Sequence, residues 1–183
     1  MSAKKSVERE LKFPGVELER LRARLLELEA ERVHGGTFEE NWIFDRDGKL
    51  EAASCLLRLR NDTHGAYLSF KGPARFEGKT KVRTEHETGV SDPEAARKLF
   101  ESLGFAVVKR YQKVRESWQL GGVAISLDHT PIGDFAEFEG DGAEKVARRC
   151  GFDPDKAERR SYLELYRDHR ASEPDAPAEM VFP

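Results

Sequence analysis

Charge recurs at every second residue in five separate stretches of this chain, and that period constrains the fold more than any other feature. Strand side chains alternate between two faces, so SVERELKF puts Glu8, Glu10 and Lys12 on one side and Val7, Leu11 and Phe13 on the other. The same sorting aligns Arg58 with Arg60 in LLRLR, Lys113 with Arg115 in YQKVR, Ser126 with Asp128 in SLD, and Glu137 with Glu139 in FAEFE. KTKVRTEHE gathers Lys79, Lys81, Arg83, Glu85 and Glu87 on one face, and Lys71 ends YLSFK on the face of Ser69 and Tyr67. A solvated outer face explains any one of these strands. It explains the set poorly, because paired like charges roughly 7 Å apart repel and a surface gains nothing from them.

Eight segments have strand composition between turn signals: 6–13, ENWIFDR, CLLRLRN, AYLSFKG, KTKVRTEHE, VVKRYQKVRESWQL, VAISLDH and DFAEFEG. Gly121-Gly122 reads as a tight hairpin turn between two of them. Three stretches have helical spacing: VELERLRARLLELEAERV from Val16, a segment opening at Asp92-Pro93-Glu94 with Ser91 as N-cap, and DGAEKVARRCGF. Eight strands with few crossover helices favour antiparallel pairing, and closure into a barrel would remove exposed edges.

At 183 residues the chain suits one domain, taken here as 1–170, followed by a Pro- and acid-rich flexible tail, 171–183, whose Met180-Val181-Phe182 is the group able to dock on the body. A balance of 31 basic against 34 acidic side chains lacks the excess of a general nucleic-acid binder. Cys55 and Cys150 form no CxxC and have no His cluster beside them, so a reducing compartment fits. The start, MSAKKSVERE, has no apolar leader and no stretch is long enough to span a membrane, which leads us to expect a cytoplasmic protein with no membrane partner.

If the charged faces line a closed barrel, the apolar faces point outward and the amphipathic helices cover them. Buried charges without partners cost several kcal/mol each. A polyphosphate with a divalent cation complements both signs, giving oxygens to Lys and Arg and a cation to the carboxylates.

In their order, VERELKF, LLRLR, SFKGP, RTEHE, KVRESW, ISLDHTPIGDFAEFE and RRSYLEL resemble the CYTH domain, the triphosphate tunnel metalloenzymes, with VERELKF matching its ExExK signature. The resemblance implies an α+β fold: an eight-stranded antiparallel closed barrel, or tunnel, with a charged interior and helices packed outside. It implies Mg²⁺ or Mn²⁺ on Glu8, Glu10, Glu137 and Glu139, with Glu85 and Glu87 serving a second ion. Lys12, Arg58, Arg60, Lys71, Arg83, Lys113, Arg115 and Asp128 would bind the triphosphate, and Glu10, Glu137, Lys12 and Lys113 would be catalytic. The expected function is metal-dependent hydrolysis of a triphosphate: inorganic tripolyphosphate, thiamine triphosphate or a nucleoside triphosphate. The alternatives are a class IV adenylyl cyclase making cyclic AMP and pyrophosphate, and a non-catalytic polyphosphate or nucleotide binder. Some relatives pair, so a homodimer is a family-level expectation. None of the five histidines has ligand spacing, and none is assigned to catalysis.

Overall fold

A computed structural model describes residues 6–183, so the first five residues of the MSAKKSVERE stretch lie outside the described residues. The described residues form nine strands, β1 (Ser6–Pro14), β2 (Glu31–Asp45), β3 (Leu56–Asp62), β4 (Gly65–Lys71), β5 (Arg75–Glu77), β6 (Thr80–Val90), β7 (Ala106–Leu120), β8 (Val123–Thr130) and β9 (Gly133–Glu139). Five α-helices accompany them: α1 (Leu18–Glu27), α2 (Lys49–Ala52), α3 (Pro93–Ser102), α4 (Ala143–Arg149) and α5 (Tyr162–Ser172).

The sheet runs β1-β9-β8-β7-β2-β3-β4-β6 and returns to β1, where Ser6–Glu10 pairs with Lys81–Glu85. Every junction is antiparallel, which makes an eight-stranded closed barrel. The short β5 pairs along the start of β6 as an appendage. At the β7–β8 hairpin Gly121 (φ 57°) and Gly122 (φ 82°) both lie in the left-handed region, as a two-residue turn with matching twist requires.

The main apolar core sits outside the barrel. Leu11, Phe13, Trp118, Ile125, Leu127 and Phe138, the residues that alternate with the charges, pack against Leu21 and Leu25 of α1 and Ala143, Val146 and Ala147 of α4. Each large side chain buried there contributes roughly 1.5–3 kcal/mol. A second apolar group caps one end of the barrel, where Ile43, Tyr111 and Phe135 meet Tyr162 and Tyr166 of α5 and the fully buried Met180.

Three expectations change. The first helix stops at Glu27, because Glu29 turns into the left-handed region (φ 55°) and the chain enters β2 at Glu31, pairing with β7 instead of continuing helically to Val33. The cap of α3 is Asp92, whose carboxylate accepts from Ala95 N, not Ser91. The C-terminal segment begins inside α5 and is pinned at its far end, where the Met180 carbonyl accepts from Gln112 N at 2.8 Å. Among the described residues no helix is long and apolar enough to cross a membrane.

Candidate functional site

The inward faces enclose a cavity of about 410 Å³. Eight Lys or Arg and six Glu side chains line it, with Leu56, Tyr111, Ser161, Tyr162 and Leu163 completing the wall. Strand alternation thus brings together Glu8, Glu10, Lys12, Arg58, Arg60, Lys71, Arg83, Glu85, Glu87, Lys113, Arg115, Glu137 and Glu139, all expected from sequence. A larger cleft of about 760 Å³ lies on the outer wall beside α4 and contains none of these residues.

Asp128 is different: it is 0 % exposed and stands behind the lining. Its carboxylate accepts from Arg115 Nε at 2.7 Å and Nη2 at 2.6 Å, from Lys113 Nζ at 3.0 Å, and from the Tyr162 hydroxyl at 2.7 Å. Expected as a triphosphate-binding residue, it instead has the geometry of a positioning residue, because its oxygens are taken by Arg115, Lys113 and Tyr162. Burial would raise its pKa, but the Arg115 and Lys113 charges overcome that and hold it low. Arg115 also reaches Glu137 at 2.5 Å, and Lys12 lies 3.2 Å from Glu137 and 3.5 Å from Glu10. Glu137 is held well below the usual carboxylate range, with Lys12 and Arg115 outweighing burial. The Tyr162 ring lies under both ammonium groups, 4.2 Å from Lys12 Nζ and 5.2 Å from Lys113 Nζ.

The second charged group is acidic. Carboxylate oxygens of Glu8, Glu85 and Glu139 come within 4.8 Å of one another. Lys71 Nζ bridges Glu8 at 2.6 Å and Glu85 at 3.1 Å, and Arg83 Nε donates to Glu8 at 2.7 Å. Burial opposes ionisation of Glu8, but Lys71 and Arg83 prevail and lower it to about 2. Glu139 moves the opposite way, to about 7: crowding by the tunnel wall desolvates it, and the Glu8 and Glu10 charges add to the shift. Three converging hard carboxylates with one member left protonatable fit a hard divalent cation such as Mg²⁺ or Mn²⁺. The six carboxylates expected to hold metal are therefore divided. Glu8, Glu85 and Glu139 converge, Glu10 and Glu137 face Lys12, and Glu87 lies 4.0 Å from Arg58 and 3.9 Å from Arg60.

Sequence reasoning missed several neighbours. Glu39 approaches Lys113 at 3.6 Å and Arg115 at 3.8 Å, and Arg58 donates to Tyr111 Oη at 3.1 Å. Asn41 is fully buried on the same inward face. The available signal was parity: Thr37, Glu39, Asn41 and Ile43 alternate inward once β2 is extended toward its start. Tyr162 had no comparable signal, since it reaches Asp128 from a helix.

A family model described as the CYTH domain matches residues 6–154. A Methanocaldococcus jannaschii protein named "Putative adenylate cyclase" is 30% identical over 144 residues, spanning 70% of this chain and 81% of that protein. Among solved structures, a Vibrio parahaemolyticus protein described as a putative adenylate cyclase superposes with a TM-score of 0.79 at 23% identity, covering 90% of this chain and 99% of the other. A Hippeastrum protein, named as a putative adenylyl cyclase and described as having a dominant triphosphatase activity, gives a TM-score of 0.67 at 17% identity, covering 89% of this chain and 95% of its own. At these identities the two structures establish a shared fold.

Proposed function

The chain belongs to the CYTH domain family, and on that premise we propose that it is a divalent-metal-dependent phosphohydrolase acting on a triphosphate held inside the barrel. One observation carries the reading: eight cations and six carboxylates face a single cavity, with three of the acids converging at one place and Lys113 and Arg115 gathered on Asp128 at another. A linear anion bound with a cation complements that division, whereas an uncharged ligand would leave both groups unmatched. The Hippeastrum protein's described triphosphatase activity points the same way.

In this mechanism Lys12, Arg58, Lys113 and Arg115 orient the phosphate chain and stabilise the charge that spreads over its oxygens as a P–O bond breaks. Arg115 spends Nε and Nη2 on Asp128 and Glu137 and offers Nη1 to the chain, while the lysines act as point charges. Asp128 holds Lys113 and Arg115 in place before substrate arrives, so little reorganisation remains for the reaction step. Tyr162 shields the two lysines from bulk water. Glu8, Glu85 and Glu139 would hold Mg²⁺ or Mn²⁺, which when bound supplies charge neutralisation and a lowered pKa for nearby water.

The name of the Methanocaldococcus jannaschii relative favours a second reading, class IV adenylyl cyclase, in which the ribose 3′-hydroxyl of ATP attacks the α-phosphate. The apolar surfaces this wall offers a base are Leu56, Leu163 and the rings of Tyr111 and Tyr162, the last already covered by Lys12. Incubating pure protein with tripolyphosphate, thiamine triphosphate and ATP, each with Mg²⁺ or Mn²⁺, separates the readings. Phosphate release is the expected result. Cyclic AMP as the main product from ATP would replace the hydrolase with the cyclase.

A further inference from the structure

Seven of the eight cations lining the tunnel have a carboxylate within 4.0 Å, from Arg115 on Glu137 at 2.5 Å to Arg58 near Glu87 at 4.0 Å. Lys81 is the exception among the described residues. It faces the cavity from β6, opposite Glu10 in the β1–β6 register, yet its ammonium forms no ion pair. Its side chain is half-buried, and its pKa is lowered by desolvation and by the neighbouring Arg83 and Lys12 charges, against the pull of Glu10. An uncompensated ammonium on a partly dry wall is unfavourable until an anion comes to it. The other seven have a carboxylate of this chain within 4.0 Å; Lys81 has none so near, and feels Glu10 and Glu8 only from farther off.

We propose that Lys81 is a phosphate-recognition residue of the tunnel, the one lining cation whose counter-charge is brought by the ligand. The assignment rests on the reading that the tunnel holds a triphosphate. The residue acts in binding: its ammonium adds charge to the site before and during reaction alike, so its removal weakens affinity and leaves turnover nearly unchanged.

The test uses the full chain as the parent, Lys81→Met, Lys81→Arg, and Lys145→Met as a control for loss of an exposed charge on α4. Tripolyphosphate is titrated calorimetrically in the presence of a chelator, so that anion binding is read without metal. For Lys81→Met the expected dissociation constant is about tenfold higher, the scale of one charge-assisted contact. Lys81→Arg should stay within about threefold of the parent, and Lys145→Met should match it. In steady state Lys81→Met should raise KM by a similar factor with kcat within about twofold. Its melting temperature should be no lower than the parent's, because no internal partner is lost.

Parent-like affinity in Lys81→Met, or a clearly lower melting temperature exposing an internal partner, would overturn the assignment while leaving the hydrolase reading intact. A parent that binds tripolyphosphate tightly but cleaves no substrate would overturn the hydrolase reading alone, and Lys81 would still be judged by the titration. A parent that binds no triphosphate overturns both.

Discussion

Asp128 and the Glu8–Glu85–Glu139 trio belong to the same inward surface of one barrel, and their surroundings are opposite. Asp128 is over-supplied, with two cations and a phenol converging on a single carboxylate. The trio is under-supplied, with Lys71 and Arg83 serving Glu8 while Glu139 is driven up to about 7. The sign of the local imbalance, not the presence of charge, separates a scaffold that holds phosphate-binding cations from a place able to take a metal ion. Exposure adds to the contrast: Asp128 is wholly buried, where an unmatched charge is dear, while Glu139 stays open to solvent at the edge of its trio.

The contrast breaks first at Asp128. Asp128→Asn strips two buried cations of their shared partner and should cost about 3–5 kcal/mol in urea denaturation, with phosphate release largely lost. A cost below about 1 kcal/mol would mean Lys113 and Arg115 find other partners, and Asp128 is no hub.

Next is the apolar cap beneath it. Met180→Ala removes a fully buried side chain from the group that packs Tyr162, with an expected loss of about 3 kcal/mol and a smaller effect on turnover. Parent-like stability would show that the C-terminal segment does not support the cationic end.

Tyr162→Phe deletes only the hydroxyl donated to Asp128 and should cost about 2 kcal/mol. The ring under Lys12 and Lys113 is retained. The paired Tyr162→Ala should lose further activity, measured as kcat, if ring and hydroxyl make separate contributions.

The smallest effect sharpens the comparison within the trio itself. Glu8 has its folded pKa lowered to about 2, from 4.5, so its contribution is complete above pH 4.5 and fades as pH falls toward 2. Glu139 is raised to about 7, so its contribution is complete below pH 4.5 and fades as pH rises through 7. Denaturation midpoints measured across pH should therefore lose part of their acid limb in Glu8→Gln and part of their decline between pH 4.5 and 7 in Glu139→Gln. Curves parallel to the parent's in both variants would erase the asymmetry.

Much of the barrel was legible because a strand's period is local. All eight barrel strands correspond to segments read from strand composition between turn signals, and thirteen of the expected site residues line the cavity. The losses also have local causes. Leucine spacing in α1 ran on into EAERV, hiding the start of β2, and reading the strand only from Glu40 left out Glu39. Nothing in RRSYLEL marks Tyr162 as an Asp128 partner, since 34 positions separate the two and only the docking of α5 joins them. The site placement of Asp128 was readable; its withdrawal behind the lining was not, because exposure depends on what packs in front.

Sequence alone determined which residues share the inner wall, since alternate side chains on a strand point to opposite faces whatever the strand's neighbours are. Tertiary structure decided which acid meets which base. β1 lies between β6 and β9, which brings Glu8, Glu85 and Glu139 together from strands far apart in the chain, and the capping helix delivers Tyr162 to Asp128. Those pairings follow from barrel register and helix docking, long-range properties that no short stretch of charges encodes.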